Sequence, residues 1–256
     1  MSTSTSQHDF EEIAVARYDE GPGKYRIGLI ATSNDYTTER DFINMRPTDD
    51  VALFTSRVQF ATDCSVPSLN AMAARITEAA ALLVPEGRLD VIAYSCTSGT
   101  AAMGFERVRD LIHAARPGVA CTTPLTAAAA AFDRLGAHRI SVLTPYTDDV
   151  NSVIADNLVR YGTEISSFSS FKILDNELMA RLAPETIYDA AVNRNYSGSD
   201  ALFISCTAIR AVEVAARIEA AIGKPVITAV QALYWHALRL AGCQSTFSGY
   251  GQLLEA

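Results

Sequence analysis

Two segments of this chain run from an apolar stretch into Ser-Cys-Thr. Residues 90–97 read D-V-I-A-Y-S-C-T and residues 200–207 read D-A-L-F-I-S-C-T. A helix-like segment follows each, which puts Cys96 and Cys206 at strand-to-helix turns. Free backbone N–H groups and the positive end of a helix dipole lower a thiol pKa at such a turn. The hydroxyls of Thr97, Ser98 and Thr207, with N–H groups such as that of Ala208, are candidates to hold a substrate carboxylate there. Two activated thiols beside an anion cradle suit chemistry at the carbon next to a carboxylate. Free cysteines are more often inert and buried. Equivalent placement argues against that for this pair, and the structural reading is kept for Cys64, Cys121 and Cys243.

The elements that must position these thiols alternate. Strand-like runs cover 25–31, 51–55, 89–94, 139–143, 201–204 and 225–227, and Ala/Leu-rich helical spacing covers 68–83, 101–115 and 209–222. Alternation at this spacing predicts βαβ units around parallel strands. The chain also resembles itself. R-I-G-L-I at 26–30 matches R-I-S-V-L at 139–143, the two S-C-T runs match, and residues 118–136 match 223–242, all in the same order. The expected fold is α/β, with two pseudo-symmetric lobes, each a parallel sheet flanked by helices, and a cleft between them. The expected division is a polar lead-in at 1–23, a first lobe at 24–121 and a second lobe at 122–230.

Composition narrows the function classes. With 21 Lys+Arg against 29 Asp+Glu, a formal charge of -8, the chain has no basic footprint for nucleic acid. No stretch approaches the ~20 apolar residues of a membrane span, and the first residues lack a signal-peptide pattern. Five widely spaced cysteines without a CxxC pair fit reduced thiols in the cytoplasm rather than a disulfide framework or zinc site. There is no GxSxG elbow or GxGxxG fingerprint, and Gly23-Lys24 lacks the first P-loop glycine. The histidines His8, His113, His138 and His236 are scattered. Neither metal nor organic cofactor is expected.

Paired Cys-Thr turns in a duplicated α/β chain resemble the aspartate/glutamate racemase superfamily. The fuller patterns, Y-S-C-T-S-G-T around Cys96 and I-S-C-T-A-I-R-A around Cys206, are similar to the branch of maleate isomerases, arylmalonate decarboxylases and the ectoine-utilisation protein A group. R-I-G-L-I-A-T-S-N-D-Y-T-T-E-R-D-F and V-A-L-F-T-S-R-V are most like the last of these. The resemblance covers residues 24–250. It implies that Cys96 and Cys206 are catalytic, that Tyr146 binds substrate, and that Asn176 contacts a substrate carboxylate. Without the resemblance, Asn176 reads as a helix N-cap before 177–182. It also implies interwoven lobes, with residues 231–256 returning to complete the first.

Where the isomerases carry an asparagine after the first strand, this chain places Asp35. An ionised aspartate accepts hydrogen bonds and repels anions. Asp35 is therefore expected to favour an amino-acid-like substrate and racemisation, although it is also a fitting helix cap for the segment through Thr38 and Glu39. The expectation is a cofactor-independent racemase or isomerase, with a place in ectoine breakdown. The alternatives are maleate cis–trans isomerisation, decarboxylation by one protonating cysteine, and a non-catalytic small-molecule sensor. The expected partners are a small carboxylate or amino-acid-like substrate and further copies of the chain in a homo-oligomer, with no nucleic acid or membrane.

Overall fold

A computed structural model of the chain describes residues 10–11 and 13–256. Part of the polar lead-in, including His8 and most of the segment read against a signal-peptide pattern, lies outside them. Four parallel strands, β1 (Tyr25–Thr32), β2 (Val51–Val58), β3 (Val91–Ser95) and β4 (Ala120–Thr122), form one sheet in the order β2-β1-β3-β4. A second sheet repeats this arrangement with β5 (Arg139–Thr144), β6 (Glu164–Ser170), β7 (Ala201–Ile204) and β8 (Val226–Thr228), in the order β6-β5-β7-β8. Every residue of β3 and β7 is buried. Parallel strands covered by helices on both faces must be apolar throughout, and these two are almost wholly so.

The sequence repeat has a structural cause. The Asp90 carboxylate accepts the Arg26 N–H at 2.7 Å, and Asp200 accepts those of His138 and Arg139 at 3.0 and 2.8 Å. Each aspartate ties the start of its Cys-bearing strand to the neighbouring strand. These N–H groups hold the exposed Asp200 carboxyl below its ordinary pKa.

The helices are α1 (Thr38–Asn44), α2 (Val66–Ala71), α3 (Ala73–Ala81), α4 (Thr97–Met103), α5 (Phe105–His113), α6 (Pro124–Leu135), α7 (Asp148–Arg160), α8 (Asn176–Ala180), α9 (Pro184–Val192), α10 (Ala215–Ile222) and α11 (Ala229–Leu240). Three differ from expectation. The helix expected over 68–83 is two, α2 and α3, meeting at Met72. The one expected over 101–115 breaks at Gly104, whose φ of 83° ends α4. The one expected over 209–222 begins only at Ala215. Strand β6 was absent from the expected runs. Its E-I-S-S-F-S-S has little β-branched character, and its place at a sheet edge leaves it partly exposed.

Thr123 and Thr228 cap α6 and α11 through capping boxes with Thr126 and Gln231. The two helices pack on each other, and α11 also lies against β1, β3 and β4 of the first sheet. Backbone pairing joins the halves again further out. The Cys64 N–H donates to the Leu174 carbonyl at 2.9 Å, and the Asn176 N–H to that of Thr62 at 3.1 Å. Among the described residues, no helix is long and apolar enough to cross a membrane.

Candidate active site

Both thiols sit at the carboxyl ends of the third strand of their sheets, the edge where open α/β sheets bind ligands. Their backbones differ. Cys96 is extended (φ -148°) and is itself the N-cap of α4, its Sγ accepting the Gly99 N–H at 3.2 Å. Cys206 has φ of 108°, a conformation that costs a non-glycine residue ~1–3 kcal/mol. No regular helix follows it until Ala215. The expected helix N-terminus is therefore present at Cys96 and absent at Cys206. There the turn aims the Ala208 N–H at Sγ instead, at 3.3 Å.

Burial decides the protonation of both thiols. Cys96 is 6% exposed and Cys206 4%. Loss of hydration outweighs the donors and pushes Cys96 up to about 11 and Cys206 up to about 12. This corrects the expectation of lowered pKa values: N–H groups at a turn oppose desolvation, and in so dry a place they do not overcome it. The donors still act in the expected sense. Gly99 N–H, Ser98 and the Tyr94 hydroxyl lower Cys96, while the Tyr146 hydroxyl and the Ala208 and Ile209 N–H groups lower Cys206.

The remaining candidates divide by whether their polar atoms are free. The Thr97 hydroxyl and the Asn176 amide Nδ2 are buried without a partner. The cap of α8 is not Asn176 but Asp175, whose carboxylate accepts the Glu177 and Leu178 N–H groups at 2.8 and 3.1 Å. That releases the Asn176 amide for a ligand. Tyr146 is 1% exposed, its carbonyl held by the Asn151 amide and the Ser170 hydroxyl. By contrast, the Thr207 hydroxyl donates to the Ser95 carbonyl at 3.3 Å, and the Ala208 N–H is taken by the thiol. Neither of those two donors is free for a carboxylate, contrary to expectation.

Asp35 turns out to hold the start of α1, two residues before its N-cap Thr37. Its Oδ1 accepts the N–H groups of Thr37 and Thr38, both at 2.8 Å, and its Oδ2 accepts the Thr38 hydroxyl at 2.6 Å. Its charge still faces Cys96 and opposes ionisation there. The reason for expecting an ammonium partner, a free carboxylate in the cleft, is not met.

Four residues escaped the sequence reading. Cys64, taken as structural, donates its S–H to the Ser98 Oγ at 3.5 Å, and that Oγ lies 3.8 Å from the Cys96 sulfur. Burial pushes the Cys64 thiol far up. The Tyr94 hydroxyl and the Cys96 sulfur both flank Gly99, and the Asn34 Oδ1 and Ser205 Oγ are buried without partners. For Ser205 the repeated S-C-T gave a signal. For Cys64 none existed, because chain pairing across the two halves brings it in. Of the histidines, His236 bonds the Thr122 hydroxyl and His113 the Val119 carbonyl, at 2.8 and 2.9 Å, so both rings serve the scaffold.

A model of the arylmalonate decarboxylase family, Amdase, matches residues 50–254. A maleate isomerase of Pseudomonas putida is 27% identical over 245 residues, covering 90% of this chain and 97% of that protein. An arylmalonate decarboxylase of Bordetella bronchiseptica is 32% identical over 141 residues, 54% of this chain and 59% of that one. Among solved structures, the maleate isomerase of Pseudomonas putida S16 with maleate superposes with a TM-score of 0.83 at 23% identity, covering 90% and 97% of the two chains. A mutant of the Nocardia farcinica maleate cis-trans isomerase, with a TM-score of 0.82 at 21% identity over 90% and 98%, carries a covalently bound succinylcysteine intermediate. Two parallel four-stranded sheets, a cysteine ending the third strand of each and a match over four-fifths of its length make this chain a member of the arylmalonate decarboxylase family.

Proposed function

We propose that this protein is a cofactor-independent isomerase of a small carboxylate, and that it interconverts the cis and trans forms of a short unsaturated dicarboxylate such as maleate. One observation carries the reading: each of two buried thiols has its own N–H donor, and two buried donors have no partner, the Thr97 hydroxyl next to Cys96 and the Asn176 amide on the segment paired with residues 62–64. Free donors suit carboxylates; an ammonium needs a free acceptor, and the Asp35 carboxylate is spent on α1. The maleate isomerases among its relatives, and the succinylcysteine of one neighbour, support the same chemistry.

The steps follow from the two thiols. Cys96, the N-cap of α4 with the Gly99 N–H on its sulfur, is the nucleophile. Its thiolate adds to one alkene carbon, and the electron pair moves to the carbon beside the other carboxylate. The Cys206 S–H protonates that carbon. The former double bond is now single and rotates. The Cys206 thiolate takes the proton back, the double bond re-forms, and the bond to the Cys96 sulfur breaks. Thr97 and Asn176 hold carboxylate oxygens meanwhile, and exclusion of water protects the adduct.

Racemisation of an amino-acid-like substrate is the second reading. It uses the same pair of buried thiols, each with its own N–H donor. The resemblance to the ectoine-utilisation group supports a place in ectoine breakdown, and the reduced thiols suit a cytoplasmic enzyme. A homo-oligomer is part of the same proposal.

Incubation with maleate in deuterated water, followed by proton NMR, tests the first reading. The expected product is fumarate. Exchange at the α-carbon of amino acids with maleate untouched would replace it by the second reading, and release of carbon dioxide from an arylmalonate would replace both. Asn176→Ala and Thr97→Val each remove one donor to a charged oxygen, worth ~1.5–3 kcal/mol. Each is expected to lower kcat/KM by about 10–100-fold, mostly through KM. Unchanged kinetics in both variants would remove these residues from the site.

A further inference from the structure

We propose that Tyr94 is a positioning residue for Cys96: its hydroxyl is a switchable donor that rests on Met72 while Cys96 is a thiol and turns to the sulfur when Cys96 becomes a thiolate. The inference takes from the proposed function only that Cys96 reacts as a thiolate.

Tyr94 is fully buried in β3, two residues before Cys96. Its hydroxyl donates to the Met72 Sδ at 3.8 Å. The Tyr94 Oη and the Cys96 Sγ also converge on one point beside the Gly99 Cα. A Cβ placed there would lie 2.9 Å from each of them and 2.7 Å from the Met72 Cε. The hydroxyl has a single proton and thus two neighbouring sulfurs to choose between. A thioether is a weak acceptor, whereas a thiolate makes a charge-assisted bond about twice as strong as a neutral one. The ionisation state of Cys96 therefore selects the partner. The hydroxyl costs little in the resting state, because Met72 occupies it, and stabilises the charge when it forms. It lowers the Cys96 pKa in the same sense as the Gly99 N–H.

Packing alone does not account for a tyrosine here. At the equivalent position of the second half, β7 carries Ile204, fully buried. An aliphatic side chain therefore fills this place in the repeat. Cys206 receives its hydroxyl from Tyr146 instead, which follows β5. Each thiol has one tyrosine donor, brought in from strands that are not equivalent.

The other groups facing Cys96 are Asp35 before α1, Ser98 on α4, Cys64 before α2, and Cys206 and Tyr146 from the second half. All of them remain in a Tyr94→Phe variant, so a shift reports on the hydroxyl. The readout is the iodoacetamide alkylation rate of Cys96 in the full-length protein, followed between pH 7 and 10 by mass spectrometry of its peptide. For Tyr94→Phe, the pH at which alkylation reaches a given rate is expected to rise by about one to two units, the worth of one bond to a charged group. At pH 8 the rate falls about tenfold or more.

Met72→Leu removes the competing acceptor and is expected to shift the profile downward. A profile unmoved in both variants overturns the proposal. This readout needs no substrate, so it stands apart from the isomerase assignment. If fumarate forms, Tyr94→Phe should lower kcat with KM nearly constant. A fall in activity caused only by loosened packing would leave the Cys96 profile in place.

Discussion

Cys96→Ala and Cys206→Ala are each expected to lower turnover by at least ~10²–10⁴-fold, the usual contribution of a general acid–base group, with the fold kept. Each change removes one sulfur from a site where the neighbouring backbone is held by its own bonds. Cys96→Ala also loses the acceptor at the start of α4, worth ~1 kcal/mol, and a small drop in Tm should accompany it. The two variants should fail differently. Without Cys96 no adduct can form. In Cys206→Ser the reaction is expected to stall after addition, leaving Cys96 heavier by one substrate molecule in the intact-mass spectrum. Full turnover by either alanine variant would falsify the two-thiol mechanism. Cys121→Ser and Cys243→Ser should leave activity within a few-fold, because neither sulfur is among the groups that act on Cys96 or Cys206. Cys64→Ala should fall between these extremes. It takes away the S–H that orients Ser98 towards Cys96.

Gly99→Ala has the next largest expected effect, although it adds a single methyl group. The added Cβ would stand 2.9 Å from the Cys96 Sγ, 2.9 Å from the Tyr94 Oη and 2.7 Å from the Met72 Cε. Real Cβ contacts are not that close, so the sulfur, the ring or both must move. Ala is a better helix former than Gly by ~0.8–1.0 kcal/mol, and over-packing costs ~1–3 kcal/mol. The net stability change is therefore small. The site cannot absorb the displacement as easily. The N–H that holds Cys96 and the hydroxyl that answers its charge both lose their geometry, and misplacement by ~1 Å costs about 10²-fold. A fall in kcat of about 100-fold with a Tm shift of only a few degrees is the expected pair of results. Activity within threefold of the parent protein would show that Gly99 holds nothing that matters to Cys96.

Much of this was legible in the residues themselves. A parallel sheet covered on both faces needs continuous apolar strands, and a duplicated chain repeats the few polar residues that every copy needs. The Asp90 and Asp200 anchors and the Cys96 and Cys206 turns therefore stood out as collinear matches, and the two sheets follow them. Strand β6 stayed hidden because an edge strand tolerates serine. The break at Gly104 was hidden because helical spacing on either side of it reads as one helix.

At the site, the sequence determined which residues could react, and the tertiary structure decided their state and company. Thiol acidity depends on desolvation, which no spacing reveals. Burial reversed the sign expected from turn N–H groups alone. Hydrogen-bond partners are likewise settled by the fold. Asp35 and the Thr207 hydroxyl are spent inside the protein, whereas Asp175 takes over the cap and leaves Asn176 free. Cys64 reaches Ser98 only because residues 62–64 pair with 174–176, more than a hundred positions along the chain. Local sequence carries chemistry and period; long-range pairing fixes which polar atoms remain for a substrate.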